Sequence, residues 1–127
     1  MPTGSPPAEA ALPALDPKTY CFVHRPFGSH DLPRLEPLMR FEEAEGTTLI
    51  VEAEAAAAAH LEGSFPCRRI TIGAVTSLSS VGLMAAVSTR MAEAGIPVNP
   101  VAGFYHDHLF VPVGRAEEAL ALLLSPE

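Results

Sequence analysis

Cys67-Arg68-Arg69-Ile70-Thr71-Ile72-Gly73-Ala74-Val75, continuing as Thr76-Ser77-Leu78-Ser79-Ser80-Val81-Gly82-Leu83-Met84-Ala85-Ala86-Val87-Ser88, decides the fold of this chain. The first nine residues read as a strand. Its two-residue period puts Ile70 and Ile72 on one side and Arg69 and Thr71 on the other. Thr76 and Ser77 are residue types that cap a helix N-terminus, and Gly95 is the type that ends one. Between them Val81, Met84, Ala85, Ser88, Met91 and Ala92 share one face at helical spacing, with Ser79, Arg90 and Glu93 opposite. An amphipathic helix lying on a sheet is expected. Residues 96–105 and 108–113 then read as strands joined by a tight turn at His106-Asp107. Pro97, Pro100 and Pro112 remove ladder donors, which assigns the 96–105 strand to a sheet edge. Residues 116–124 form a last helix, with Glu117 and Glu118 in the first turn, where the helix dipole favours them.

Residues 67–124 therefore spell β-α-β-β-α, one strand short of the ferredoxin-like β-α-β-β-α-β unit. A raw sheet edge invites wrong pairing, so a strand from the first half is expected beside 67–75. The candidates are 20–24, rich in strand-forming residues, and 47–52. Leu38-Met39-Arg40-Phe41 alternates as a further short strand, and the stretch 25–37 is irregular with one helical turn. Residues 52–61, dense in alanine and free of Gly and Pro, are helical by propensity. The expected architecture is α/β, an antiparallel sheet with helices on one face, in two interlocked halves. Residues 1–17, rich in proline and alanine, are read as a flexible tail. Residues 18–65 form the N-terminal half and 66–127 the C-terminal half.

Composition narrows the function. Across 127 residues 48% are hydrophobic, enough for a real core, and the formal net charge is -7. The chain has no cluster of cations able to neutralise phosphates, so neither nucleic acid nor an anionic membrane is an expected partner. No apolar run approaches a membrane span, and the first residues lack the basic start and apolar core of a signal peptide, so a cytoplasmic location is expected. Cys21 and Cys67 are then read as buried thiols.

Several stretches carry a resemblance. Arg69-Ile70-Thr71-Ile72, the run from Ser79 to Ser88, Ala94-Gly95-Ile96, and Val101-Ala102-Gly103-Phe104-Tyr105-His106-Asp107-His108-Leu109-Phe110-Val111-Pro112 together resemble an ACT domain. In the first half, Phe41-Glu42-Glu43-Ala44-Glu45-Gly46-Thr47-Thr48-Leu49 is similar to the acidic-Gly-Thr signature of a group of small bacterial ACT-like proteins. The pattern of two halves also resembles the ACT pairs of arginine-sensor proteins. Pro100 departs from that pattern, standing where an ordinary strand residue is usual. The resemblance implies a regulatory, non-catalytic module that binds an amino acid or similar small molecule, without a cofactor, and pairs as a homodimer. It places the ligand at the strand-to-helix loop, here Thr76, Ser77, Ser79, Ser80, Val81 and Gly82, with Thr48 and Asp107 at or near it.

The residue chemistry allows that reading and others. A helix N-terminus presents unpaired N–H groups that can hold a carboxylate, and Asp107 could take an ammonium group. Ordinary capping by Ser and Thr, close helix packing at Gly82 and turn preference at Asp107 explain the same residues without a ligand. A structural dimerisation module is accordingly the alternative. Metal-dependent catalysis through His106, Asp107 and His108 is the remote one, since zinc needs a third ligand that the spacing does not supply. Glu42, Glu43 and Glu45 read as a solvated face rather than an acid/base pair. No phosphate loop, nucleophile elbow or Cys-x-x-Cys is present.

Overall fold

The computed structural model describes residues 12–73, 78–79 and 81–125. In chain order these form β1 (Ala14–Leu15), β2 (Tyr20–Arg25), α1 (Leu32–Leu35), β3 (Met39–Glu43), β4 (Gly46–Glu52), α2 (Ala53–Ala58) and β5 (Ser64–Thr71). There follow α3 (Leu83–Glu93), β6 (Asn99–Ala102), β7 (Asp107–Pro112), a 3-10 turn at Val113–Arg115, and α4 (Ala116–Leu124). The chain divides into two compact units, one of residues 18–67 and one combining 1–17 with 68–127.

In the 18–67 unit the strands run β3-β4-β2-β5, each pair antiparallel. Alternation along β2 and β4 turns Cys21, Val23, Leu49 and Val51 toward Leu32 and Leu35 of α1 and Ala56 of α2, and these seven residues form the core. Alanine lets α2 lie close: Ala53 N–H donates to Thr19 O at 2.9 Å as the helix begins. The β2–β5 register shifts between Tyr20↔Cys67 and Phe22↔Ser64, so β5 carries one extra residue there. Phe65 sits in that bulge at φ 57°, in edge contact with Phe22 at 5.9 Å between ring centroids. Pro66 beside it has no ladder donor to lose.

The second unit takes over the same strand. Arg68–Thr71 of β5 pairs with β1 (Ala14↔Thr71, Leu15↔Ile70), and β7 lies beside it with β6 at the edge, as its prolines require. Ile70, Ile72, Leu109 and Val111 face Val87 and Met91 of α3, Ile96, and Ala116 and Ala119 of α4. The end of α3 is closed by Gly95 at φ 71°, with Gly95 N–H donating to Ala92 O (3.0 Å) and Ile96 N–H to Met91 O (2.9 Å).

Four expectations change. Order begins before Tyr20: within the expected tail, Ala14 and Leu15 form β1. Asp16 behind them is held by its N–H to Arg69 O (2.8 Å), an ion pair with Arg69 (3.0 Å) and a bond from Arg68 Nε to its carbonyl (2.9 Å). The edge beside 67–75 is therefore shared, β2 pairing with its start and β1 with the stretch after it. The buried stripe of α3 is Val87 and Met91 with Leu83, Met84 and Ala94 against it, while Val81 is 96% exposed and Ala85 and Ala92 face outward. The larger Leu83 and Val87 claim the core in place of the alanines, because they remove more apolar surface from water. The turn lies at residues 103–106 rather than at His106-Asp107, closed by Gly103 N–H on His106 O (2.8 Å). A Cβ at Gly103 would come within 2.9 Å of that carbonyl, which is why the chain turns at the glycine. Asp107 consequently opens β7, opposite Ala102.

Met91→Ala is expected to lower the free energy of unfolding by about 2–5 kcal/mol, the usual cost of deleting a fully buried long side chain. Val81→Ala should change it by less than about 0.5 kcal/mol. Urea unfolding of both checks the rotated face; a loss at Val81→Ala comparable to that at Met91→Ala would restore the original one, which held both residues.

Candidate functional site

The strand-to-helix loop starts where β5 meets β7. Ile72 N–H donates to Asp107 O at 2.8 Å, and Thr71 Oγ1 is hydrogen-bonded to His108 Nδ1 at 2.9 Å. The loop therefore leaves the sheet, at Gly73, directly beside Asp107. It returns at Gly82, the N-cap of α3, whose φ of 97° belongs to glycine. A Cβ placed on Gly82 would meet no described atom within 4 Å, so backbone conformation rather than helix-to-sheet packing accounts for the glycine. No side chain caps the α3 N-terminus among the described residues, and Ala86 N–H bonds to Gly82 O at 3.0 Å.

Thr76, Ser77 and Ser80 lie outside the described residues. Ser79, Val81 and Gly82 are exposed, and Asp107 is half-buried. Thr48 belongs to the other unit, on β4, and its hydroxyl donates to Glu43. The acidic hairpin around it is braced: Thr47 Oγ1 donates to Glu42 at 2.7 Å, Arg40 Nε to Glu42 at 2.8 Å, and His24 Nε2 to Glu45 O at 2.8 Å. Bonds from Thr47 first and Arg40 second hold the Glu42 carboxyl below the ordinary carboxylate range. Such carboxylates are committed to the turn. Grooves of about 200 and 380 Å³ run along α1 and α2, lined by Arg34, Leu35, Ala55 and Ala58 with acidic residues at the rim.

Residue-type reasoning missed Thr71 and His108 as a bonded pair, although alternation already placed Thr71 away from the core. Burial, then Arg69, then His106 pull the His108 imidazole below its ordinary 6.5, against an opposing effect of Asp107. Phe104 and Tyr105, in edge contact at 4.9 Å, stand exposed in the loop just before Asp107. Among the described residues no three His, Cys, Asp or Glu side chains gather as a metal would need, and His106 and His108 find no third ligand. Cys21 and Cys67 are free, buried thiols; burial first and Cys21 second push Cys67 up to about 12. No helix of the described residues is long and apolar enough to cross a membrane.

Antiparallel sheets backed by helices, repeated in two units, define a protein of the ferredoxin-like class. ACT-domain family models match residues 11–68 and 64–125. The chain belongs to the ACT-domain family and carries two ACT repeats. A crystal structure of a Vibrio cholerae protein of unknown function, described as a possible transport protein, shares 43% identity over 91% of each chain with a TM-score of 0.82. The regulatory subunit of aspartate kinase from Thermus flavus shares the fold at 14% identity, over 88% of this chain and 94% of that one, with a TM-score of 0.58. An Agrobacterium tumefaciens protein does so at 14% identity, over 84% and 81%, with a TM-score of 0.70. No curated protein matches the sequence. ACT domains are generally regulatory ligand-binding modules.

His108 generates a pH expectation. A histidine whose folded pKa is lowered is stabilising in its neutral form above 6.5, and that stability is lost as pH falls from there through the folded value. Wild type minus His108→Gln, compared by urea unfolding, should therefore be constant above neutrality and decline as pH falls below the ordinary histidine value of about 6.5. A difference independent of pH would contradict the assignment.

Proposed function

We propose that this protein is a non-catalytic sensor that binds an amino acid or a closely similar molecule and works in the cytoplasm as a homodimer. The supporting observation is the bond between Ile72 and Asp107, which starts the strand-to-helix loop beside a carboxylate. An α-amino acid presents a carboxylate and an ammonium group a few ångströms apart. Its carboxylate suits the N–H groups opening α3 and the hydroxyls of Thr76, Ser77, Ser79 and Ser80, with Val81 and Gly82 completing the loop. Its ammonium group suits Asp107. Thr48, on β4, is a separate candidate ligand contact within the N-terminal repeat. The two ACT repeats support regulation rather than chemistry. A ligand-free dimerisation module is the second reading, favoured by one observation: the φ of Gly82 explains that glycine without a ligand.

A thermal-shift screen of the free amino acids should find at least one that raises the melting temperature, as a ligand of the folded state does. Calorimetric titration with that compound should show Asp107→Asn weakening binding by about 1.5–3 kcal/mol, the contribution of a hydrogen bond to a charged group. Unchanged affinity removes Asp107 from the site. A screen with no shift supports the dimerisation module.

A further inference from the structure

Of the ten large apolar side chains exposed among the described residues, six belong to one end of the second unit: Leu12, Leu78, Val81, Phe104, Tyr105 and Leu124. Topology puts them there. Leu78 and Val81 lie in the connection between Gly73 and Gly82. Phe104 and Tyr105 form the tip of the β6–β7 hairpin, and Asp107 just after them bonds through its carbonyl to Ile72 N–H at 2.8 Å. The helix α4 starts against the end of α3, where Arg115 Nη2 donates to Ala94 O at 3.0 Å, so the two helices run in opposite directions and Leu124 finishes beside the beginning of α3. The strand β1 is antiparallel to β5, so Leu12, ahead of the pair Ala14↔Thr71, lies past Thr71 at the same end. Exposed apolar side chains scattered singly are ordinary, whereas a contiguous set marks a binding surface.

We infer that this end selects an amino acid whose side chain is bulky, apolar and uncharged, of the leucine, isoleucine, methionine or phenylalanine kind. The inference rests on the sensor reading above and names the class of its ligand. Charge makes the selection. Among the described residues of 12–15, 72–73, 78–79, 81–85, 101–107 and 121–125, Asp107 is the only Asp, Glu, Lys or Arg. Alternation with Leu109 and Val111, which lie in the core under α3, puts Asp107 on the α3 side of the sheet. One half-buried carboxylate set among apolar side chains suits one ammonium group, and the α-amino group of the ligand supplies it. A lysine or arginine ligand would bring a second cation to an end with no second carboxylate. An aspartate or glutamate side chain would bring an anion to an end with no Lys or Arg. Either would give up hydration without a partner in exchange. An apolar side chain gives up nothing, and laid against the edge-stacked Phe104 and Tyr105 and against Val81 it removes apolar surface from water on both partners.

Calorimetric titration of the full chain with each of the free amino acids in turn tests this. The tightest ligand should be leucine, isoleucine, methionine or phenylalanine, bound at least about tenfold more tightly than alanine, the effect of burying one large apolar side chain. Lysine, arginine, aspartate and glutamate should bind more weakly than that ligand by at least the same factor. Phe104→Ala should bring the preference over alanine down by about threefold or more and leave the affinity for alanine itself unchanged. Because Phe104 is exposed, the urea midpoint of that variant should match wild type, which controls for folding. A charged or small amino acid as the tightest ligand, or an undiminished preference in Phe104→Ala, would overturn the apolar class and leave the sensor reading standing. Binding of no free amino acid at all would overturn both.

Discussion

A strand inside a sheet must satisfy its backbone on both sides, and β5 does so with different neighbours along its length. Its start pairs with β2 and its later residues with β1, while Ile72 just beyond it bonds to Asp107. The bulge at Phe65 falls within the β2-paired start of β5, between Ser64 and Cys67. The same demand explains why so short a piece as Ala14–Leu15 is ordered. Its two residues would not hold a register alone; Asp16, gripped by Arg68 and Arg69, fixes them. Arg68 also reaches Glu117 at 3.4 Å, tying α4 to the clamp.

From that strand the site follows. Alternation sends Ile70 and Ile72 into the core under α3 and leaves Thr71 for His108. The loop after Ile72 therefore has one fixed foot, beside Asp107, and a second at Gly82, where a left-handed glycine opens an eleven-residue helix. A ligand bridging these feet would couple the sheet end to α3. That is a physical route by which a small molecule could bias the module between two arrangements, provided it binds one of them better.

Much of this was legible in the sequence, and the reasons differ by element. The helix α4 has the expected bounds because dipole-matched glutamates precede an unbroken apolar run. The strand β4 and the edge position of β6 followed from β-branched alternation and from prolines. What was not legible depends on tertiary competition. Several faces of α3 are apolar in pattern, and only the volumes of Leu83 and Val87 against the sheet select one. Gly103 and His106-Asp107 are both turn-forming, and the close carbonyl at Gly103 decides between them. Ala14–Leu15 has no strand signal at all; an open edge on β5 recruits it. Of the candidate site, Gly82 and Asp107 are placed at the two feet of the loop, while Thr48 sits in a hairpin where its hydroxyl is engaged by Glu43.

Amide chemical shifts read the central claim most directly. In a nitrogen–proton correlation spectrum titrated with a mixture of free amino acids, the account requires saturable shifts at Gly82, Leu83 and Asp107, with the amides of Ala55–Ala59 along the α2 groove unmoved. Shifts confined to that groove, or a spectrum unchanged at saturating amino acid, would contradict it.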